Sequence, residues 1–303
     1  ASQVLKAQTD KEILSSVTKA TPAYFDKQIE CLRNCMQYFF ADNELNLRRT
    51  RNKATYVLES ISQERSAYYK LSLDGGNAFS QISKDDGNST PDAKFFFYLV
   101  FSNLREASKT LRFTIDQALN HVANRHTIFD GVMKRSLIEM LMRLERMSEV
   151  IHSVGSDPNA QNVENLVKRV KKINRRIDKC QLDMVNIIGT QRVSMHSSEM
   201  YLNFLMAMRT IINRYVSVGM QAHALAELVA NGTVMTPINN DEENSNVNQT
   251  DDDDLEDLLS KHLDDLEINH DDINPVVMPL SPAAKELKEL DVSEGSKTVS
   301  ETK

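Results

Sequence analysis

No tryptophan, only three cysteines and no glycine before Gly75 occur in this chain of 303 residues. Each shortage excludes something. Cys31 and Cys35 stand four apart on one expected helix face and Cys180 stands alone, which makes no disulfide framework. With no second Cys or His pair at ligand spacing, it makes no zinc site either. A reducing compartment is the natural reading. No apolar run approaches the roughly 18 to 20 residues that cross a bilayer, so no transmembrane helix is expected. The first residue is Ala, and no apolar signal-peptide core follows it, so nothing marks secretion. A start without Met, directly inside a polar helix-like pattern, is what a piece of a longer protein would show.

The total charge is also small, but it hides a division. Against 43 acids stand 36 bases, net −7. From Asn239 onward 19 acids face 5 Lys and no Arg, net −14, whereas residues 1–238 carry 24 acids and 31 bases, net +7. The chain therefore reads as a basic helical bundle domain, 1–238, followed by a disordered acidic tail, 239–303. Four consecutive Asp at 251–254, with Asn, Ser and Pro around them, leave little apolar surface to offset chain entropy. Within the tail, Leu255, Leu258, Leu259, Leu263 and Leu266 sit at helical spacing among acids. That pattern suits a short recognition helix formed on a partner. A solvated tail with incidental leucines is the plainer reading.

What is present in the body is helical periodicity. Thr21-Pro22 places a capping hydroxyl before a Pro at the first helical position, and Phe25, Ile29, Leu32, Met36 and Phe39 follow. A weaker pattern from Val4 to Thr18 suggests a separate short helix ahead of it. A second helix follows Asp42-Asn43 and carries Leu47, Ala54, Val57, Ile61, Tyr68 and Leu71, up to a loop over residues 74–92. Thr90-Pro91 repeats the cap-and-Pro signature and opens a third helix whose seam is Phe97, Phe101, Leu104, Ser108, Leu111, Ile115 and Val122. Asp130 can cap a fourth, ending at Gly155-Ser156-Asp157-Pro158. The fifth (Val163, Leu166, Val170, Ile173, Ile177, Cys180, Met184, Ile187) and the sixth (Tyr201 to Val229, ending at Asn231-Gly232) keep a heptad rhythm. Narrow apolar seams and short loops predict an all-α antiparallel bundle of about six long helices. Two sets of three helices are a natural division.

Catalytic patterns are missing. Gly75-Gly76 lacks the Lys and Ser/Thr of a phosphate loop, and neither a His-Glu-x-x-His nor a Gly-x-Ser-x-Gly occurs. No enzyme, cofactor or metal is expected. The densest polar cluster is Asn120 to His126, where His121, Asn124, Arg125 and His126 are candidates for binding a ligand, whether an anion or a metal, or a partner. Ordinary capping of a helix C-terminus explains the same residues. A basic run, Lys168, Arg169, Lys171, Lys172, Arg175, Arg176 and Lys179, interleaves with the fifth seam and so occupies the outer faces of that helix. It reads as a solvated face, or as one drawn to an anionic membrane surface or, in cis, to the acidic tail. Nucleic acid is disfavoured, because no aromatic lies among these bases for stacking.

Two stretches carry a resemblance. Tyr98 to Glu106, with Leu111 to Ile115 and His121-Val-Ala-Asn124-Arg-His126, resembles the helix ending in a His-Val-x-Asn-x-His element in the cytosolic C-terminal domain of Bacteroidetes-type inorganic phosphate transporters. Gln191-Arg192 through Ser197 to Leu205 is similar to the start of the last helix of that domain. Together with helix order, the resemblance covers about residues 10–228. It implies a PhoU-like, non-catalytic regulatory domain on the cytoplasmic side of the plasma membrane, packed against a transporter membrane domain that lies upstream in cis. The acidic pairs four apart that bind metal in PhoU-like proteins are not matched, since Glu106 is followed four later by Thr110. The alternative from another class is a free-standing helical scaffold or adaptor whose acidic tail docks a basic partner. Self-association is left open by either.

Overall fold

Apolar residues at spacings of three and four run from Ile13 to Phe39, and they make α1 (Asp10–Phe40) one helix of 31 residues. A computed structural model describes residues 10–74, 92–129, 131–189 and 194–231. All its elements are helices. After α1 come α2 (Glu44–Asp74), α3 (Ala93–Ala123), α4 (Gly131–Ser156), α5 (Ala160–Gly189) and α6 (Met195–Asn231).

The expected start at Thr21-Pro22 is corrected, because Pro22 lies inside α1 and the weak pattern ahead of it belongs to the same helix from Asp10 on. An internal Pro removes one backbone hydrogen bond and costs about 3 kcal/mol in a helix interior. Burial outweighs it here. Ile13 and Val17 continue the stripe of Tyr24, Phe25 and Ile29 into the core, and each fully buried side chain of this size contributes roughly 1.5–3 kcal/mol. Thr21 caps nothing; its hydroxyl donates back to the Val17 carbonyl at 2.8 Å.

The starts of α2, α3, α5 and α6 are set by side-chain caps. Asn43 Oδ1 accepts from Asn46 N at 3.0 Å, Asn159 Oδ1 from Asn162 N at 2.8 Å, and Ser194 Oγ from Ser197 N at 3.1 Å. For α3 the cap is Asp92, whose Oδ1 accepts from Phe95 N at 2.8 Å, so the expected Thr90 is displaced by two residues. Thr90-Pro91, the cap proposed at Asp130, and the tail with its leucine pattern lie outside the described residues.

Helices α1, α2 and α3 pack mutually, and α5 and α6 pack with α4 in a second set of three. The sets join broadly through α3 on α6, and also through α1 on α4 and on α6. Thus α1, α3, α4 and α6 share the centre, while α2 and α5 are outer helices. At the centre lies a polar residue that periodicity does not mark: Gln28, fully buried. Its amide donates to Ser108 Oγ at 2.6 Å and to the Leu104 carbonyl at 3.2 Å, and its Oε1 accepts from the Tyr215 hydroxyl at 2.9 Å. Burial pushes the Tyr215 phenol far above its ordinary value and keeps it a donor. The side chain is satisfied by three contacts on α3 and α6, and so fixes the register of three helices.

Close approach to the proline is set by Gly155. A Cβ built there would lie 2.9 Å from the Thr18 carbonyl oxygen and 2.8 Å from Pro22 Cδ. Both neighbours belong to a rigid ring or the backbone and cannot swing away. Gly155→Ala is therefore expected to destabilise the fold by about 1–3 kcal/mol despite the better helix propensity of Ala. Urea denaturation measures it, and an unchanged or raised midpoint would contradict this packing.

Candidate functional site

The end of α3 is built without glycine. Arg125 N donates to the Val122 carbonyl at 2.9 Å and His126 N to the His121 carbonyl at 3.1 Å, the paired bonds of a Schellman termination. That geometry needs a left-handed residue, and Arg125 supplies it at φ 55°. A non-glycine side chain pays roughly 1–2 kcal/mol for this conformation. The same device ends α1, where Asp42 has φ 50° and its N–H and that of Asn43 reach the Phe39 and Tyr38 carbonyls. Both strained residues lie near His121, and Asp42 is close enough to act on the charge of its imidazole.

The turn after α3 delivers one backbone carbonyl to two helices. Thr127 O accepts from His121 Nε2 at 2.9 Å and from Ser197 Oγ, on the first turn of α6, at 2.6 Å. Beside it the rings of His126 and His196 stack with centroids 4.1 Å apart, and His121 meets His126 edge-on at 5.2 Å. Underneath, Phe39 packs on His121, Phe129 and Phe204. The two stretches singled out above, some 70 residues apart, therefore meet at one end of the bundle.

Of the predicted residues at this end, His121 is buried and spent on Thr127, His126 is half-buried against His196, and Asn124 and Arg125 are exposed. The capping reading thus accounts for the backbone of Asn124 and Arg125, and their side chains remain available at the surface. His196, Ser197 and the Thr127 carbonyl complete the cluster. Ser197 lay within the second stretch, whereas a carbonyl acceptor leaves no mark in sequence. Among the described residues no group of three or more His, Cys, Asp or Glu is arranged to hold a metal ion. Stacked imidazoles do not converge on a point.

The basic run on α5 is divided by the structure. Arg176, half-buried at the edge of the basic face, forks onto Glu139 of α4, with Nε–Oε1 and Nη2–Oε2 both 2.8 Å, so it ties two helices together. Lys168 pairs with Glu164 one turn earlier at 2.7 Å. Lys171, Lys172, Arg175 and Lys179 are exposed. The basic face and the histidine cluster are separate features. Neither is joined by a reactive thiol. Cys31, Cys35 and Cys180 are buried, and burial pushes the Cys31 thiol up to about 11 and that of Cys35 higher still, so both are protonated at neutral pH.

The chain matches no protein-family model, and no curated protein aligns with it as a relative.

The histidine end has a pH signature. Burial holds the His121 imidazole below its ordinary value of 6.5; the neighbouring His126 and His196 act in the same direction, and the Thr127 bond and Asp42 oppose them. Above that pH His121 is neutral folded or unfolded and adds no pH dependence. As pH falls below it, the unfolded chain takes a proton that the fold resists, so stability declines. His121→Gln keeps a donor for Thr127 O and is expected to flatten the loss of stability between about pH 6.5 and 5. Urea midpoints across that range test it, and an unchanged slope in the variant would contradict it.

Proposed function

We propose that this chain is a non-catalytic regulatory domain of an inorganic phosphate transporter, acting from the cytoplasmic side by packing against the membrane part. The observation that carries the reading is the meeting of its two resembling stretches. They are remote in sequence, yet His121, His126, His196 and Ser197 share one end of the bundle around the Thr127 carbonyl. An arrangement of six helices in two sets of three also suits it. Among the described residues no helix is long and apolar enough to cross a membrane, so the permeation path would lie in another part of the transporter.

Metal binding of the PhoU-like kind is not part of the proposal. Glu106 is engaged by Lys109 at 2.8 Å, which with Arg105 holds its carboxyl below the ordinary range, and Thr110 offers its hydroxyl to the Glu106 carbonyl. Regulation instead requires that the domain bind two transporter conformations with different affinity. A coupling of about 1–3 kcal/mol would shift the balance 5- to 150-fold. The exposed Asn124 and Arg125 and the half-buried His126 would make that contact.

The direct test is the reading frame upstream of codon 1. A run of transmembrane helices in frame or encoded next door is expected. Their absence from both places would remove the transporter reading and leave the free-standing adaptor.

A further inference from the structure

The outer face of α5 has a direction. Lys168, Lys171, Lys172, Arg175 and Lys179 occupy its first two-thirds, and beyond them Leu182 and Val185 stand 63 and 61 % exposed. Lys171, Arg175 and Lys179 have no ion-pair partner among the described residues, unlike Arg176. Read along the helix, the surface is mainly basic, with Asp178 paired to Arg209, and then mainly apolar, with Asp183 between Leu182 and Val185.

The chain that leaves α6 begins at the matching end. Gly219 lies against Leu166, and His223 Nδ1 contacts the Pro158 carbonyl at 2.8 Å, so the last turns of α6 flank the start of α5. From Asn231, residues 232–240 reach at most about 30 Å when extended. Lys168 stands only eight residues into α5, roughly 12 Å along it. Between residues 241 and 259 come nine acids and no base, with Leu255, Leu258 and Leu259 at the far end. The order is acidic and then apolar. Laid from the shared end, acids would meet bases and leucines would meet Leu182 and Val185.

We propose that the acidic segment 241–259 docks along the outer face of α5, masking the basic surface in cis. Tethering supplies an effective concentration of order millimolar, so even a weak contact is populated. Because most of the attraction is between exposed charges, salt weakens it, with a screening length near 10 Å at 0.1 M. This inference does not depend on the transporter reading.

The test is residue-resolved acylation of lysines in the full-length chain, wild type against Asp251→Asn, Asp252→Asn, Asp253→Asn and Asp254→Asn combined. These substitutions lie beyond α6 in sequence, and an unchanged circular dichroism spectrum and urea midpoint are required of the variant. Lys171 and Lys179 are expected to react about threefold or more faster in the variant, and faster in wild type as salt is raised. Lys109 on α3 should not change. Equal rates at Lys171 and Lys179 in both proteins would overturn the proposal. So would shielding that appears only on adding phosphatidylserine vesicles, which would give this face to a membrane.

Discussion

One buried amide holds the bundle in register. Gln28 is enclosed among apolar side chains, where an unpaired amide would cost about 1–3 kcal/mol, and every contact that satisfies it lies on another helix. Sliding α3 or α6 by one turn, about 5.4 Å, would unpair Ser108 or Tyr215 and leave a polar group in the core. Apolar packing alone tolerates such slides far better. The edge of the Tyr215 ring against Phe25, centroids 4.8 Å apart, adds shape to the same constraint.

What happens at the histidine end follows from that register. Ser108 and His121 are on one helix, Tyr215 and Ser197 on another, so fixing the first pair against Gln28 decides where the second pair can meet. They meet at a single carbonyl, Thr127 O, presented by a turn that carries a strained Arg125. Strain of this kind persists where surroundings over-determine it. Here the surroundings are the Phe39, Phe129 and Phe204 cluster and the two hydrogen bonds to Thr127. The α5 face is governed by different physics. Its exposed charges contribute little to stability, and the Arg176–Glu139 fork matters as a geometric tie between α4 and α5 more than as an energy term.

The sequence made much of the fold legible and much less of the site. The seams of α5 and α6 follow from heptad rhythm, and the C-terminal ends of α4 and α6 from Gly155-Ser156 and Asn231-Gly232, because there the local signals agree with burial. Pro22 misled because a local start signal was overridden by the buried Ile13 and Val17, which carry the apolar stripe of the same helix upstream of it. Thr90 gave way to Asp92 because a carboxylate three residues before a free N–H is the better cap. Gln28 was invisible, since a polar residue on an apolar stripe has no periodic signature. Arg176 read as one more surface base, because its partner Glu139 comes from another helix. Glycine-free left-handed ends at Asp42 and Arg125 were equally hidden, as glycine is what usually announces them.

If the chain is, as proposed, a regulatory domain of a phosphate transporter, the end of the bundle that holds His126 and His196 acts on phosphate movement. This is tested most directly by radiolabelled phosphate uptake in cells expressing the natural full-length gene, with His126→Ala and His196→Ala combined against wild type. The account predicts uptake above the empty-vector level, and a changed rate or KM in the variant at equal membrane abundance. Uptake no higher than the empty vector, or identical kinetics in both proteins, would contradict it.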